Sequence, residues 1–204
     1  MPHQRRARPL SPAARRQAIL AAVIPLLEER GGSVTTRQMA EAAGVAEGTI
    51  FRVFPHKRGL LAAAFKAIVD PSPVERDLAL IYEGAPIEVQ LEEAARIVRD
   101  YFARVFALFT AIRSLPPERG RRTAGPPRFV KDANAAIDRS LTLMFGRFQD
   151  QLRIEPGKAA VAFRGLVLAG THPAFSASDR LTVDEVVSVL VSGVTRPEMA
   201  GEVA

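Results

Sequence analysis

The sequence predicts an all-α protein made of a short three-helix head and a larger helical body. Three observations carry that expectation. Apolar residues recur at i, i+3, i+4 and i+7 through most of the chain, and no stretch alternates as a half-buried strand would. Helix start and stop residues bracket those runs. The charge is also unevenly placed: residues 1–66 hold 11 Lys and Arg against 4 Asp and Glu, while the rest hold 17 against 18.

Residues 1–11 contain Pro2, Pro9 and several arginines, and read as a loose basic arm. Ser11 followed by Pro12 is an N-cap with proline at the first helical position. From there Ile19, Leu20, Val23, Leu26 and Leu27 keep helical spacing up to Gly31-Gly32, a stop, with Pro25 expected to bend the helix. A short second helix starts at Thr35 or Thr36, where Thr35 and Gln38 have capping-box spacing, and ends at Gly44. A third runs from about Ala46 to Phe54, and a fourth from about His56 to Val69.

Residues 70–86 read as short-range, Pro-containing chain with an apolar patch at Leu78, Leu80, Ile81 and Tyr82. A long helix then spans about 87–115, and after Asp100 it has little polar face, so it is expected to be buried on most sides. Pro116 to Pro127 is a loop. A helix over about 128–154 follows, with Ile137, Leu141, Met144, Phe145 and Phe148 inward. Pro156 opens another that ends near Gly170 or His172. Thr182 with Glu185 caps the last, whose valines and leucines keep the i, i+3, i+4, i+7 rule closely.

Composition excludes several classes. The chain has no cysteine, which rules out disulfides, a thiol nucleophile and a thiolate zinc site, and fits a reducing cytoplasm. The apolar run Ala18 to Leu27 is followed by Glu28, Glu29 and Arg30 rather than a small-residue cleavage site, against a signal peptide. No run reaches the ~18–20 apolar residues of a membrane span. His3, His56 and His172 are scattered in sequence, and no Gly-rich phosphate loop or HExxH occurs, so neither an enzyme nor a cofactor or metal is expected. Localised basic charge instead suits phosphate binding.

The segment TTRQMAEAAGVAEGTIFRVF, Thr35 to Phe54, has the pattern of a helix-turn-helix. Ala40 and Ala43 are small, Gly44 sits where the chain must turn, and Met39, Val45, Ile50 and Phe54 supply inward side chains. Thr36, Arg37, Glu47, Thr49, Phe51 and Arg52 are left outward or at helix ends. The longer stretch from Arg16, with ILAA…LLEERG, VTTRQMAEAAGV, GTIFRVF and PHKRGLL in that order, resembles the N-terminal domain of the TetR family of regulators over about fifty residues.

That resemblance implies roles. Thr36 and Arg37 would touch phosphate or a base edge. Glu47, Gly48 and Thr49 would open the recognition helix in the major groove. Phe51 stands where the family usually has Tyr and can meet a thymine methyl, Arg52 a phosphate or a guanine, and Lys57 a phosphate. Ala46 replaces the usual Ser cap, and Val53 a usual Tyr or His. These losses shift weight onto Arg5, Arg6 and Arg8 of the arm, expected in the minor groove.

For the body the resemblance implies homodimerisation through the last two helices, where Gly165, Ala169 and Gly170 allow close approach. It also implies an effector pocket, with Tyr101, Phe102, Phe106, Phe109, Met144 and Phe148 as candidates for a largely hydrophobic small molecule. The expected domains are 1–11 (arm), 12–55 (helix-turn-helix) and 56–204 (effector-binding and dimerisation body). The expected function is a cytoplasmic, ligand-responsive repressor binding a palindromic operator on double-stranded DNA. The alternatives are an activator of the same fold or a non-specific DNA-binding protein.

Overall fold

The structure, a computed structural model, describes residues 11–113 and 127–195 other than 177 and 179. The basic arm before Ser11 and the loop before Pro127 lie outside the described residues. Helices α1 (Pro12–Arg30), α2 (Thr36–Ala42), α3 (Glu47–Val53), α4 (Lys57–Ile68), α5 (Ser72–Ala79), α6 (Ile87–Arg113), α7 (Arg128–Gly146), α8 (Pro156–Thr171) and α9 (Val183–Val194) follow in order, with 3-10 turns at Gly31–Ser33 and Gln149–Gln151. The all-α expectation holds, and the described residues contain no strand beyond one isolated antiparallel bridge, Leu152 to Thr195.

The described chain forms two compact units, residues 11–68 with 107–113, and 69–106 with 127–195. The first is the head. Its core is Ile19, Leu20, Val23 and Leu27 of α1, Met39 and Ala40 of α2, Ile50 of α3, Phe54, and Leu60, Leu61 and Ala64 of α4. The fourth helix thus packs with the head, whereas a division after residue 55 puts it in the body. The reason is local: His56 caps it, its Nδ1 accepting the Gly59 N–H at 2.9 Å, and its buried leucines close the same core. Pro25 sits inside α1, which continues through it.

The second unit is built on α6, α7, α8 and α9. Leu91, Ala94, Val98, Ile137, Leu141, Phe145, Phe163, Val187 and Leu190 meet in one apolar core. Asp138 of α7 and Arg164 of α8, both largely buried, form a two-point ion pair across it. The fully buried Gln90 holds the preceding loop: its Nε2 donates to the carbonyls of Glu83 (3.0 Å) and Ala85 (2.8 Å).

Two expectations change. Residues 70–86 contain a helix, α5, because Pro71 and Pro73 lie at its start, where no backbone donor is lost, while Val74 and Leu78 bury one face. The helix expected to run to Ile154 ends at Gly146. Arg147 there is drawn to Glu83 at 2.7 Å, and Leu152 turns back so that the Arg153 N–H reaches the Val194 carbonyl at 2.7 Å.

Candidate nucleic-acid interface

The two short helices of the head are joined by a turn with complete backbone accounting. The Gly44 N–H donates to the Glu41 carbonyl at 3.1 Å and the Val45 N–H to the Ala40 carbonyl at 3.0 Å. That paired pattern is the Schellman closure, and it needs a left-handed residue between. Gly44 supplies it with φ +62°. A Cβ there would meet nothing within 4 Å, so backbone conformation, not space, requires the glycine.

Upstream, α2 begins with a complete capping box. The Gln38 N–H donates to Thr35 Oγ1 at 3.2 Å, and the Thr35 N–H to Gln38 Oε1 at 2.8 Å. Downstream, α3 starts at Ala46 with no side-chain cap. Ile50 within α3 and Phe54 just after it are buried to 2% and 1% exposure and fasten the helix to the core. Its other face is open: Glu47, Gly48, Phe51 and Arg52 are exposed, and Thr49 is half-buried. A two-turn helix with its inner side fastened and its outer side clear can enter a groove.

The remaining expected contacts are placed as follows. Thr36 is half-buried at the start of α2. Arg37 is exposed and pairs with Glu41 at 3.0 Å, one turn on. Such a surface pair is worth little in stability. Lys57 is partly buried, and its Nζ donates to the Gly32 carbonyl at 3.2 Å, tying α4 to the turn after α1. Arg15, Arg16 and Arg52 gather around an open cleft with Pro12, Ala13 and Val53, between the first turn of α1 and the last of α3. Sequence reasoning assigned Arg15 and Arg16 no part in it, although both stand in the first turns after the Ser11 cap.

In the body, five of the six candidate pocket residues approach one another in pairs or share a core. Tyr101 and Phe102 are buried with ring centroids 5.4 Å apart, Phe106 lies 6.2 Å beyond, and Met144 is buried in the same core. Tyr101 donates its hydroxyl to the Val69 carbonyl at 3.0 Å, and burial, then the Asp70 carboxylate, pushes its pKa up to about 12. The aromatic row continues through His172, edge-on to Phe106 at 4.7 Å, to Phe175. Those two residues were missed because only the fold brings the end of α8 against α6. Phe148 packs against the same core and also lines a cleft of about 320 Å³ with Glu88, Gln151 and Thr195. Phe109 is not among them: it belongs to the head unit, exposed, 6.3 Å from Phe65.

On α8, Val161, Ala162, Gly165 and Ala169 are exposed, and on α9 Ser188, Val189, Ser192 and Gly193, giving both helices an uncharged outer stripe. Gly170 is used within the chain, since a Cβ there would meet the Leu181 carbonyl at 2.8 Å.

Residues 19–64 match the family model of bacterial regulatory proteins, tetR family. A nucleoid occlusion factor, SlmA, from Marinobacter nauticus is 29% identical over 86 residues, which is 42% of this chain and 44% of that protein, so the match spans under half of the relative. The TetR transcriptional regulator SCO0520 of Streptomyces coelicolor superposes with a TM-score of 0.56 at 22% identity, over 89% of this chain and 99% of its own. AibR, in a complex with isovaleryl coenzyme A and operator DNA, superposes with a TM-score of 0.51 at 18% identity, over 89% and 98%. At such identities these two establish the fold. Among the described residues no helix is long and apolar enough to cross a membrane. The head, residues 19–64, thus carries the match to bacterial regulatory proteins of the tetR family, and over the described chain the likeness to those regulators is one of fold.

Proposed function

We propose that this protein is a cytoplasmic repressor that binds a palindromic DNA operator as a homodimer and releases it when a small, largely hydrophobic molecule occupies the body. The observation that carries the reading is the two-sidedness of α3: Ile50 and the following Phe54 are sealed in the core, while Glu47, Gly48, Phe51 and Arg52 face outward. Glu47 can accept from a cytosine amino group, Arg52 can donate to guanine or phosphate, and the Phe51 ring can lie on a thymine methyl. Thr36, Arg37 and Lys57 would add phosphate contacts that set register, Lys57 using the protons not spent on Gly32.

One seven-residue helix reads few base pairs, and the uncharged stripes of α8 and α9 support a two-fold pair that reads two half-sites about 34–36 Å apart or a multiple of that. The row from Tyr101 to His172 supports an effector with apolar bulk. Ligand would act by favouring a spacing of the two heads that no longer fits successive grooves. The AibR complex, which holds both an acyl thioester and operator DNA, lends the reading support by analogy.

Selection from a random pool of duplexes tests it. The expected product is one inverted repeat, protected as a single short footprint by two protomers. Uniform coating of DNA, or no retention at low salt, overturns it.

A further inference from the structure

Arg16, exposed at the head's open cleft, lays its guanidinium against the end of α3. Its guanidinium lies over the Phe54 ring at 4.4 Å from the centroid, and its Nη1 points to the Val53 carbonyl at 3.5 Å. Val53 ends α3, so its carbonyl is one of the four that a helix terminus leaves without an intrahelical partner. A cation there also opposes the negative end of the helix dipole. Arg15 and Arg52 line the same cleft, and neither has a carboxylate within ion-pair distance among the described residues.

The other restraints on α3 leave a gap that Arg16 fills. At its start Ala46 offers no side-chain cap. Burial of Ile50 and Phe54 fixes depth, but burial is non-directional. A cation held over the face of the adjoining ring and a long hydrogen bond to a terminal carbonyl are directional. They join the first turns of α1 to the last turn of α3 across 37 residues of sequence. The family match begins at residue 19, after Arg16, and assigns it nothing.

We infer that Arg16 is a positioning residue that sets the angle at which α3 is presented, and hence the protein's discrimination between DNA sequences, without itself being a phosphate contact. The inference rests on the DNA-binding reading above, and its test separates the two. Arg16→Lys keeps the charge but loses the planar fork. In the full-length protein, affinity would be measured against salt for the duplex that the wild type selects and for a random duplex of equal length. Hydrogen exchange of the α3 amides would be followed without DNA.

The expected result for Arg16→Lys is a roughly fivefold loss on the selected duplex, the scale of one exposed cation–π contact. Affinity for random duplex and the salt slope stay the same, and amides 50–54 exchange faster while those of α2 do not. Arg15→Lys, at the same cleft, stays at wild-type values. Wild-type affinity for Arg16→Lys, with Arg16→Met lowering the salt slope by about one, makes Arg16 a phosphate contact and overturns the inference. So does equal loss on both duplexes with a lowered melting point, which marks a general fold contact. If the wild type selects no duplex, the DNA reading fails, and unchanged α3 exchange in Arg16→Lys then sinks this inference separately.

Discussion

Helices α2 and α3 have seven residues each and lie side by side in the head, yet they are held in opposite ways. The first is closed by its own sequence: a capping box at one end and the Gly44 turn at the other. The second has no side-chain cap and is fixed from outside, by Phe54, by Ile50 and by Arg16. The difference shows two ways to hold a short helix: the restraint on α3 lies at its C-terminal end and underneath, which leaves its start and outer face clear for the proposed DNA contact.

Removing the outside hold has the largest effect. Phe54→Ala should cost about 3–5 kcal/mol by emptying a fully buried aromatic site, seen as loss of the head's unfolding transition in a thermal melt. Retention of that transition would mean α3 holds itself, as α2 does. The body offers a second outside hold, from Tyr101 to the Val69 carbonyl. The Tyr101 pKa is raised from 10.0 to about 12 in the folded state, so its share of stability is whole below pH 10 and is lost as pH climbs toward about 12. By linkage this is on the order of 2–3 kcal/mol. Tyr101→Phe should flatten that alkaline decline in urea titrations, and an unchanged slope would remove the assignment.

The inside hold is smaller. Thr35→Ala should cost about 1 kcal/mol through the lost cap on α2. Ala46→Ser should add up to ~1 kcal/mol by giving α3 the cap that it lacks. If the selected DNA sequence also changes in that variant, the free end of α3 matters for reading as well as for access. The smallest effect lies at the capping box of α9. Hydrogen bonds from the Thr182 backbone and hydroxyl hold the Glu185 carboxyl below the usual carboxylate range. That contribution is present above the unfolded value and lost as pH falls through the folded one. Thr182→Val removes the hydroxyl donor but keeps the backbone one, and should weaken that acid dependence in acid melts without abolishing it.

The same contrast explains what could be read from the chain. Elements that carry their own signals were legible: the Ser11-Pro12 start, the Thr35 and Thr182 boxes, and the turn at Gly44, each a short-range pattern with a physical cause. The outward residues of α3 were legible too, because Ile50 and Phe54 fix which face turns in. What depends on distant parts of the chain was not. The short α5 was hidden by prolines that its first turn tolerates. The end of α7 at Gly146 is set by Glu83, more than sixty residues earlier. The Lys57 ammonium meets the Gly32 carbonyl, and the aromatic row from Tyr101 recruits His172, neither of which spacing along the chain can suggest.

The central claim is that the open face of α3 chooses the bases. Repeating the pool selection with Arg52→Ala, beside the wild type and at the same salt concentration, tests it most directly. The account predicts an inverted repeat with preference relaxed at the same position of each half, at about 1–3 kcal/mol of lost discrimination. If the variant selects the wild-type sequence with undiminished preference, and Glu47→Ala and Phe51→Ala do so too, the face is not reading DNA and the account is contradicted.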